Sequence, residues 1–418
     1  MNALLSCALG LCLALALSTG ADAAPDEERL GRDQGYPVGT AANWFVDERV
    51  RVGSFSHLDG ISGILGGQVR WLRPGRRMLA LQRAPQPPDY RWTSAQGQAL
   101  DVDAYLERQR VTGLLILKDR EILLERYQYQ RGPEHRFVAH SMAKSLVSLA
   151  VGLALFEGRI ASLDDEAQRY VPALADSVYG QTRLRNLLRM ASGLGFRERY
   201  DGHDDLARFA ARVRAVGQVA ALKELGPRDV AQGERFQYAS AETSVLAAVL
   251  QGATGQGLAH YLALHLWQPM GAEDEASWLT DREGLELGGG SFSATLRDYG
   301  RLGLLLAHDG RRPDTGEAVL PELYVNAATR WQHHPAPFQP GRAHPFWGYG
   351  YHFWIFPGAT RRFALLGVFG QLIFVDPQLR LVMVQTAVDR LPQWGQTTLS
   401  DDALALWRAV LERHGGHW

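Results

Sequence analysis

Two groups of strand-like segments lie far apart in this chain, and their positions constrain the fold more than any other feature. Gly113 to Leu117 and Ile122 to Tyr127 are apolar runs on either side of Lys118-Asp119-Arg120-Glu121, which reads as a β-hairpin. Some 220 residues later, Tyr349 to Phe356, Arg361 to Leu366, Gln371 to Val375 and Leu379 to Thr386 read as four successive strands, with turn chemistry at Pro357-Gly358 and Asp376-Pro377. The region between is mostly helical in pattern. Ser141 to Phe156 is closed by Gly158, Leu184 to Met190 is stopped by Ser192-Gly193, and Ala241 to Ala253 is ended by Gly255; Leu258 to Trp267 and Thr295 to Ala307 follow. Val102 to Arg108 reads as a helix before the hairpin. Asp401 to Leu411, with Ser400 as N-cap, reads as an amphipathic helix at the end. This order predicts an α/β chain of the α+β type. An antiparallel sheet is built from both chain ends and flanked by helices, a helical region is inserted at about 157–345, and a cleft lies where the two parts meet.

The front of the chain is different. Ala3 to Leu17 is almost unbroken apolar sequence, too short to span a bilayer comfortably, and Ala21-Asp22-Ala23 offers small residues for cleavage. Residues 1–23 are therefore expected to be a signal peptide and the mature protein to be periplasmic or secreted, with no stable membrane insertion after cleavage. Both cysteines, Cys7 and Cys12, fall in this segment, so the mature chain is expected to have no disulfide, cysteine nucleophile or Cys-bound metal. Residues 24–100, rich in Gly, Pro and Arg from Gly35 on, read as an N-terminal extension wrapped on the main domain at 101–418, held by Trp44, Phe45, Trp71 and Trp92.

Charge excludes some partners. Lys and Arg number 44 against 45 Asp and Glu, so no basic excess points to nucleic acid or an anionic membrane. The basic residues are nearly all Arg; the lysines are Lys118, Lys144 and Lys223.

One of those lysines stands in an unusual place. His140-Ser141-Met142-Ala143-Lys144-Ser145 opens the most apolar helix of the chain, and residues i and i+3 share a helix face. A serine hydroxyl needs an adjacent base to act as a nucleophile. A lysine amine can be that base if burial makes it neutral, which at pH 7 requires a shift of roughly 3 units, or about 4 kcal/mol. The Ser141 amide, in the first turn, could also face an oxyanion. On these grounds alone a capping serine with a snorkelling surface lysine stays an open alternative.

Further segments carry a resemblance. Arg185-Asn186-Leu187-Leu188-Arg189-Met190-Ala191-Ser192-Gly193-Leu194, Phe236-Gln237-Tyr238-Ala239-Ser240 and Gly367-Val368-Phe369-Gly370-Gln371 follow Ser141-Met142-Ala143-Lys144 in the order seen in the serine β-lactamase and penicillin-binding-protein superfamily. The chain resembles most its branch of esterases and 6-aminohexanoate-dimer hydrolases. The resemblance implies a β-lactamase/transpeptidase-like fold and makes Tyr238 the partner that relays a proton to the leaving group, its pKa lowered by the neighbouring ammonium. It implies Val368 N–H as a second oxyanion donor beside Ser141, Gly367 as the residue that lets substrate approach, and Ser240 as a hydrogen-bond partner of Lys144 or substrate, or else the cap of the next helix. Gly288-Gly289-Gly290 resembles a cleft loop of the family. Where antibiotic-processing members carry K-T-G or H-T-G, this chain has Leu365-Leu366-Gly367, which argues against β-lactam or D-Ala-D-Ala substrates.

Other chemistries find little footing. G-x-S-x-G and H-E-x-x-H are missing, and His333-His334 and His203 read as loop residues, so neither a metal nor another cofactor is expected. Trp347, Tyr349, Tyr351 and Trp354 are either sheet core or a wall of the acyl pocket. The expected function is an exported serine hydrolase cleaving a small-molecule ester or amide through an acyl-enzyme on Ser141. The alternatives are a non-catalytic envelope ligand-binding protein of the same fold, or a β-lactamase or D-Ala-D-Ala peptidase.

Overall fold

The computed structural model describes residues 24–94 and 97–418; the expected signal peptide, with Cys7 and Cys12, lies outside the described residues. In chain order the main elements are α1 (Glu48–Phe55), β1 (Gly66–Leu72), β2 (Gln82–Arg83), α2 (Val102–Arg108), β3 (Val111–Lys118), β4 (Glu121–Tyr127), β5 (Arg136–Val138), α3 (Ala143–Phe156), α4 (Leu184–Leu188), α5 (Asp205–Val216), α6 (Ser240–Thr254), β6 (Ala276–Asp281), β7 (Phe292–Thr295), α7 (Leu296–Ala307), β8 (Gly348–Tyr349), β9 (Trp354–Ile355), β10 (Phe363–Gly367), β11 (Gln371–Asp376), β12 (Leu381–Ala387) and α8 (Thr398–Arg413).

The two ends of the chain do meet in one sheet. Its order is β8-β9-β10-β11-β12-β3-β4-β2, antiparallel except for the short β2–β4 pair. The join between the ends is β12 against β3, with Val384 opposite Leu115 and Val382 opposite Leu117. Both faces of this sheet are covered, which explains why its strands read as continuous apolar runs. Side chains alternate between two cores: Leu115, Leu117, Ile373, Val375, Val382 and Val384 face one, while Leu114, Ile116, Leu372, Phe374, Leu381 and Met383 face the other. α7 packs on the first face so closely that a Cβ on Gly303 would lie 2.4 Å from Val382 Cγ1. α8 closes the second face with Leu406, Trp407 and Val410.

Three expectations need correction. The stretch at 157–345 is not purely helical: β6 and β7 join β1 and β5 in a second antiparallel sheet, ordered β1-β6-β7-β5. The N-terminal segment thus supplies an edge strand, β1, with Trp71 opposite Ser277. The first strand of the C-terminal run is really two two-residue strands folded on each other, Gly348 opposite Ile355 and Tyr349 opposite Trp354. Finally, α8 is capped by Thr397, whose side chain accepts the Leu399 N–H, and not by Ser400. Ser400 Oγ instead accepts the Gly395 N–H at 3.0 Å. Among the described residues no helix is long and apolar enough to cross a membrane.

Candidate active site

The first turn before α3 is a 3₁₀ turn, His140–Met142, not yet α-helix. In that geometry residues i and i+3 eclipse. Ser141 and Lys144 are stacked accordingly, with Lys144 Nζ 2.9 Å from Ser141 Oγ. The amine also donates to the Gly289 carbonyl at 2.6 Å, so the glycine loop does line the cleft. Lys144 is 1% exposed, and burial pushes its ammonium down to about 8 against a smaller opposing pull from Glu198. The lysine does not snorkel.

Tyr238 arrives from the segment leading into α6. Its ring stacks on Trp354 at 5.8 Å and meets Tyr349 edge-on at 6.1 Å, while Lys144 Nζ lies 5.1 Å from the ring centre. Its hydroxyl is within hydrogen-bonding reach of Ser141. The expectation that the nearby ammonium lowers its pKa is overturned. Burial among aromatic rings, and then the charge of Glu198, push the phenol well above its ordinary value. Tyr238 is therefore held as the neutral phenol in the resting site.

Backbone geometry brings the remaining segment in. A Cβ on Gly367, at the end of β10, would lie 2.4 Å from the Ala139 carbonyl oxygen. The glycine is needed because the turn carrying Ser141, and not only a substrate, comes this close. Val368 follows directly and lines the same cavities as Ser141. In the turn the first bonded amide is Met142 N–H, to Ala139 O at 3.1 Å, so the Ser141 N–H precedes the intrahelical ladder.

His140 holds this turn from behind. Its φ of 45° is a left-handed value in a non-glycine residue, a conformation costing of order 1–3 kcal/mol. Packing maintains it. The imidazole meets Phe55 at 4.5 Å, Phe45 at 5.8 Å, Trp44 at 6.1 Å and Phe369 at 6.1 Å. Burial pushes the ring down to about 3, so it is neutral and adds no charge beside Lys144.

Two residues of the site were not anticipated. Glu198 and Tyr200 come from the loop before α5, where the Tyr200 hydroxyl donates to Glu198 at 2.9 Å and also reaches Ser141. Ser240, expected to bond Lys144 or substrate or else to cap α6, gives its N–H and its hydroxyl to Glu198 and not to Lys144, and Ala239 stands at the cap position. Burial raises the Glu198 carboxyl above its usual range despite Lys144 nearby. The loop is shaped by Asp204, which accepts the N–H groups of Arg199 at 2.6 Å and Tyr200 at 2.7 Å. The aromatic quartet divides. Trp347 and Trp354 line the cavity beside Ser141, Tyr349 backs Tyr238, and Tyr351 turns away to accept from Arg185 at 2.9 Å.

The beta-lactamase family model matches residues 101–388 of this chain. The chain belongs to the beta-lactamase family. It is a serine hydrolase of that family, in the esterase and amidase group. The 6-aminohexanoate-dimer hydrolase of Paenarthrobacter ureafaciens is 29% identical over 316 residues, covering 72% of this beta-lactamase-family chain and 78% of that protein. Among solved structures, a 6-aminohexanoate-dimer hydrolase homologue from Bacillus anthracis superposes with a TM-score of 0.76 at 19% identity, over 90% of this chain and 96% of that one. A D-stereospecific amidohydrolase from Streptomyces shares the fold with a TM-score of 0.52 at 16% identity, over 72% of this chain and 94% of that one.

Proposed function

We propose that this enzyme hydrolyses a small-molecule ester or amide through an acyl-enzyme on Ser141, with Lys144 as first base and Tyr238 as acid to the leaving group. The observation that carries this reading is the 2.9 Å contact between Ser141 Oγ and a buried amine whose pKa lies near 8. In the neutral amine one N–H donates to Gly289 O and the lone pair accepts the Ser141 proton as Oγ attacks the carbonyl. The oxyanion is held by the Ser141 and Val368 N–H groups. Tyr238 gives its proton to the leaving oxygen or nitrogen and regains one from the Lys144 ammonium, so no phenolate persists. In the second half Lys144, through Tyr238, takes a proton from water, the hydroxide attacks the acyl carbonyl, and Ser141 Oγ departs protonated.

The 6-aminohexanoate dimer, for which the Paenarthrobacter relative is named, is one substrate to test. β-Lactam turnover is expected to be negligible, since Leu365-Leu366 offers no cation to a substrate carboxylate. The apolar run at Ala3–Leu17 supports export, testable by N-terminal sequencing of the mature protein. The decisive comparison is wild type against Ser141→Ala with p-nitrophenyl esters of uncharged acyl groups. Turnover should fall by at least about 10³-fold, and equal rates in the two proteins would remove Ser141 from the mechanism.

A further inference from the structure

Ser141 stands where two cavities meet. One, of about 420 Å³, holds Tyr238, Trp347 and Trp354. The other, of about 380 Å³, opens on the far side of Ser141 between the N-terminal extension and α5. Tyr200 and Val368 border both, whereas Tyr238 belongs to the first alone. We propose that the second cavity is the acyl pocket and that it selects an uncharged aliphatic acyl group; this rests on the hydrolase reading above.

The side follows from the reaction. A leaving group must depart next to the acid that protonates it, which places it against Tyr238 in the first cavity. The other substituent of the tetrahedral carbon then points away from Tyr238, into the second. The selectivity follows from the lining. Apolar side chains form most of the wall, among them Phe45 and Ile64 of the extension, Leu206, Phe209 and Val213 of α5, and Leu287. The carboxylate at its border, Asp204, is spent on backbone: besides Arg199 and Tyr200 it caps α5 by accepting the Ala207 N–H at 2.8 Å. Gln218 is buried and its amide nitrogen donates to Leu285 O at 3.0 Å, while its Oε1, like Ser291 Oγ, is an uncharged acceptor without a partner among the described residues. The cation at the border is Arg214, exposed on α5, which is the wrong sign for an acyl chain ending in an ammonium. A chain such as 6-aminohexanoyl would bury its charge among apolar groups, whereas butanoyl or hexanoyl would bury methylenes.

The test is a series of p-nitrophenyl esters with one leaving group: acetyl, butanoyl, hexanoyl and 6-aminohexanoyl. kcat/KM should rise about fourfold per methylene up to hexanoyl, and the aminohexanoyl ester should fall at least roughly 100-fold below hexanoyl. Ala210→Trp, or Ala207→Phe one turn away should the first variant misfold, should flatten the rise by filling the pocket from α5. Leu206→Glu should improve the aminohexanoyl-to-hexanoyl ratio. Ser141-dependent turnover with no chain-length dependence overturns the pocket assignment and leaves the hydrolase reading standing. So does a dependence that follows the alcohol half of acetate esters instead of the acyl half. No turnover of any ester, and no labelling of Ser141 by a fluorophosphonate, overturns both.

Discussion

At pH 7 a lysine with a pKa near 8 is neutral in roughly one molecule in ten, so Lys144 can serve as a base without being neutral most of the time. The acidic limb of the kcat/KM profile should therefore rise with pH and level off above about 8. Glu198 sets part of that position. Its charge stabilises the ammonium, so Glu198→Gln should move the limb to lower pH, and a pH–rate series on both proteins reads the shift; an unchanged limb would separate Glu198 from Lys144. Stability responds in the opposite sense. The folded pKa lies below that of a free lysine amine, so burying the ammonium carries its full cost below about pH 8 and none above about pH 10.4. Lys144→Met should thus be more stable than wild type at pH 7, by on the order of 3 kcal/mol at about 1.36 kcal/mol per pH unit, with the gain fading from about pH 8 to about pH 10.4 in denaturant titrations. Ser141 and Lys144 were legible because one turn of one helix carries both. Glu198 and Tyr200 were not, because a loop folded around Asp204 brings them in and no periodicity marks it.

At the scale of elements, the site is the meeting of the turn before α3, the end of β10 and the entry to α6. The sequence located α2, α3, α4, α6, α7, α8 and the hairpin, since long apolar periods override local detail, but not α1 or α5, which lie in segments where no such period stands out. It missed the split of β8 and β9, because two-residue strands leave almost no pattern. It also placed the cap of α8 at the wrong residue of Thr397 and Ser400, which both have capping side chains. Contact between β10 and the nucleophile turn depends on Gly367. Gly367→Ala puts a methyl 2.4 Å from the Ala139 carbonyl and must part the two segments. If Val368 N–H is an oxyanion donor, kcat should drop by about 10²–10³-fold, while Val368→Ala, which keeps the amide, should change it far less. Steady-state kinetics on the two variants, with circular dichroism to check folding, decide this; a Gly367→Ala enzyme with unchanged kcat would contradict it.

On the scale of the whole molecule, both chain ends and the N-terminal segment converge on one serine. The first and last strands of the main domain pair to form the large sheet, and the extension braces the nucleophile turn through Phe45 and Phe55 against His140. It is further tied down by ion pairs, Arg110 to Asp26 at 2.8 Å and Arg390 to Asp26 at 2.8 Å. In the mechanism proposed above, this scaffold is what sets Ser141 apart from the seventeen other serines of the chain. The most direct test is intact-protein and peptide mass spectrometry of the enzyme quenched during turnover of a slow aliphatic ester. The mechanism predicts one acyl group, carried on the peptide containing Ser141, present in wild type and missing from Ser141→Ala. An acyl group on another residue, or equal acylation of the Ser141→Ala protein, would contradict it.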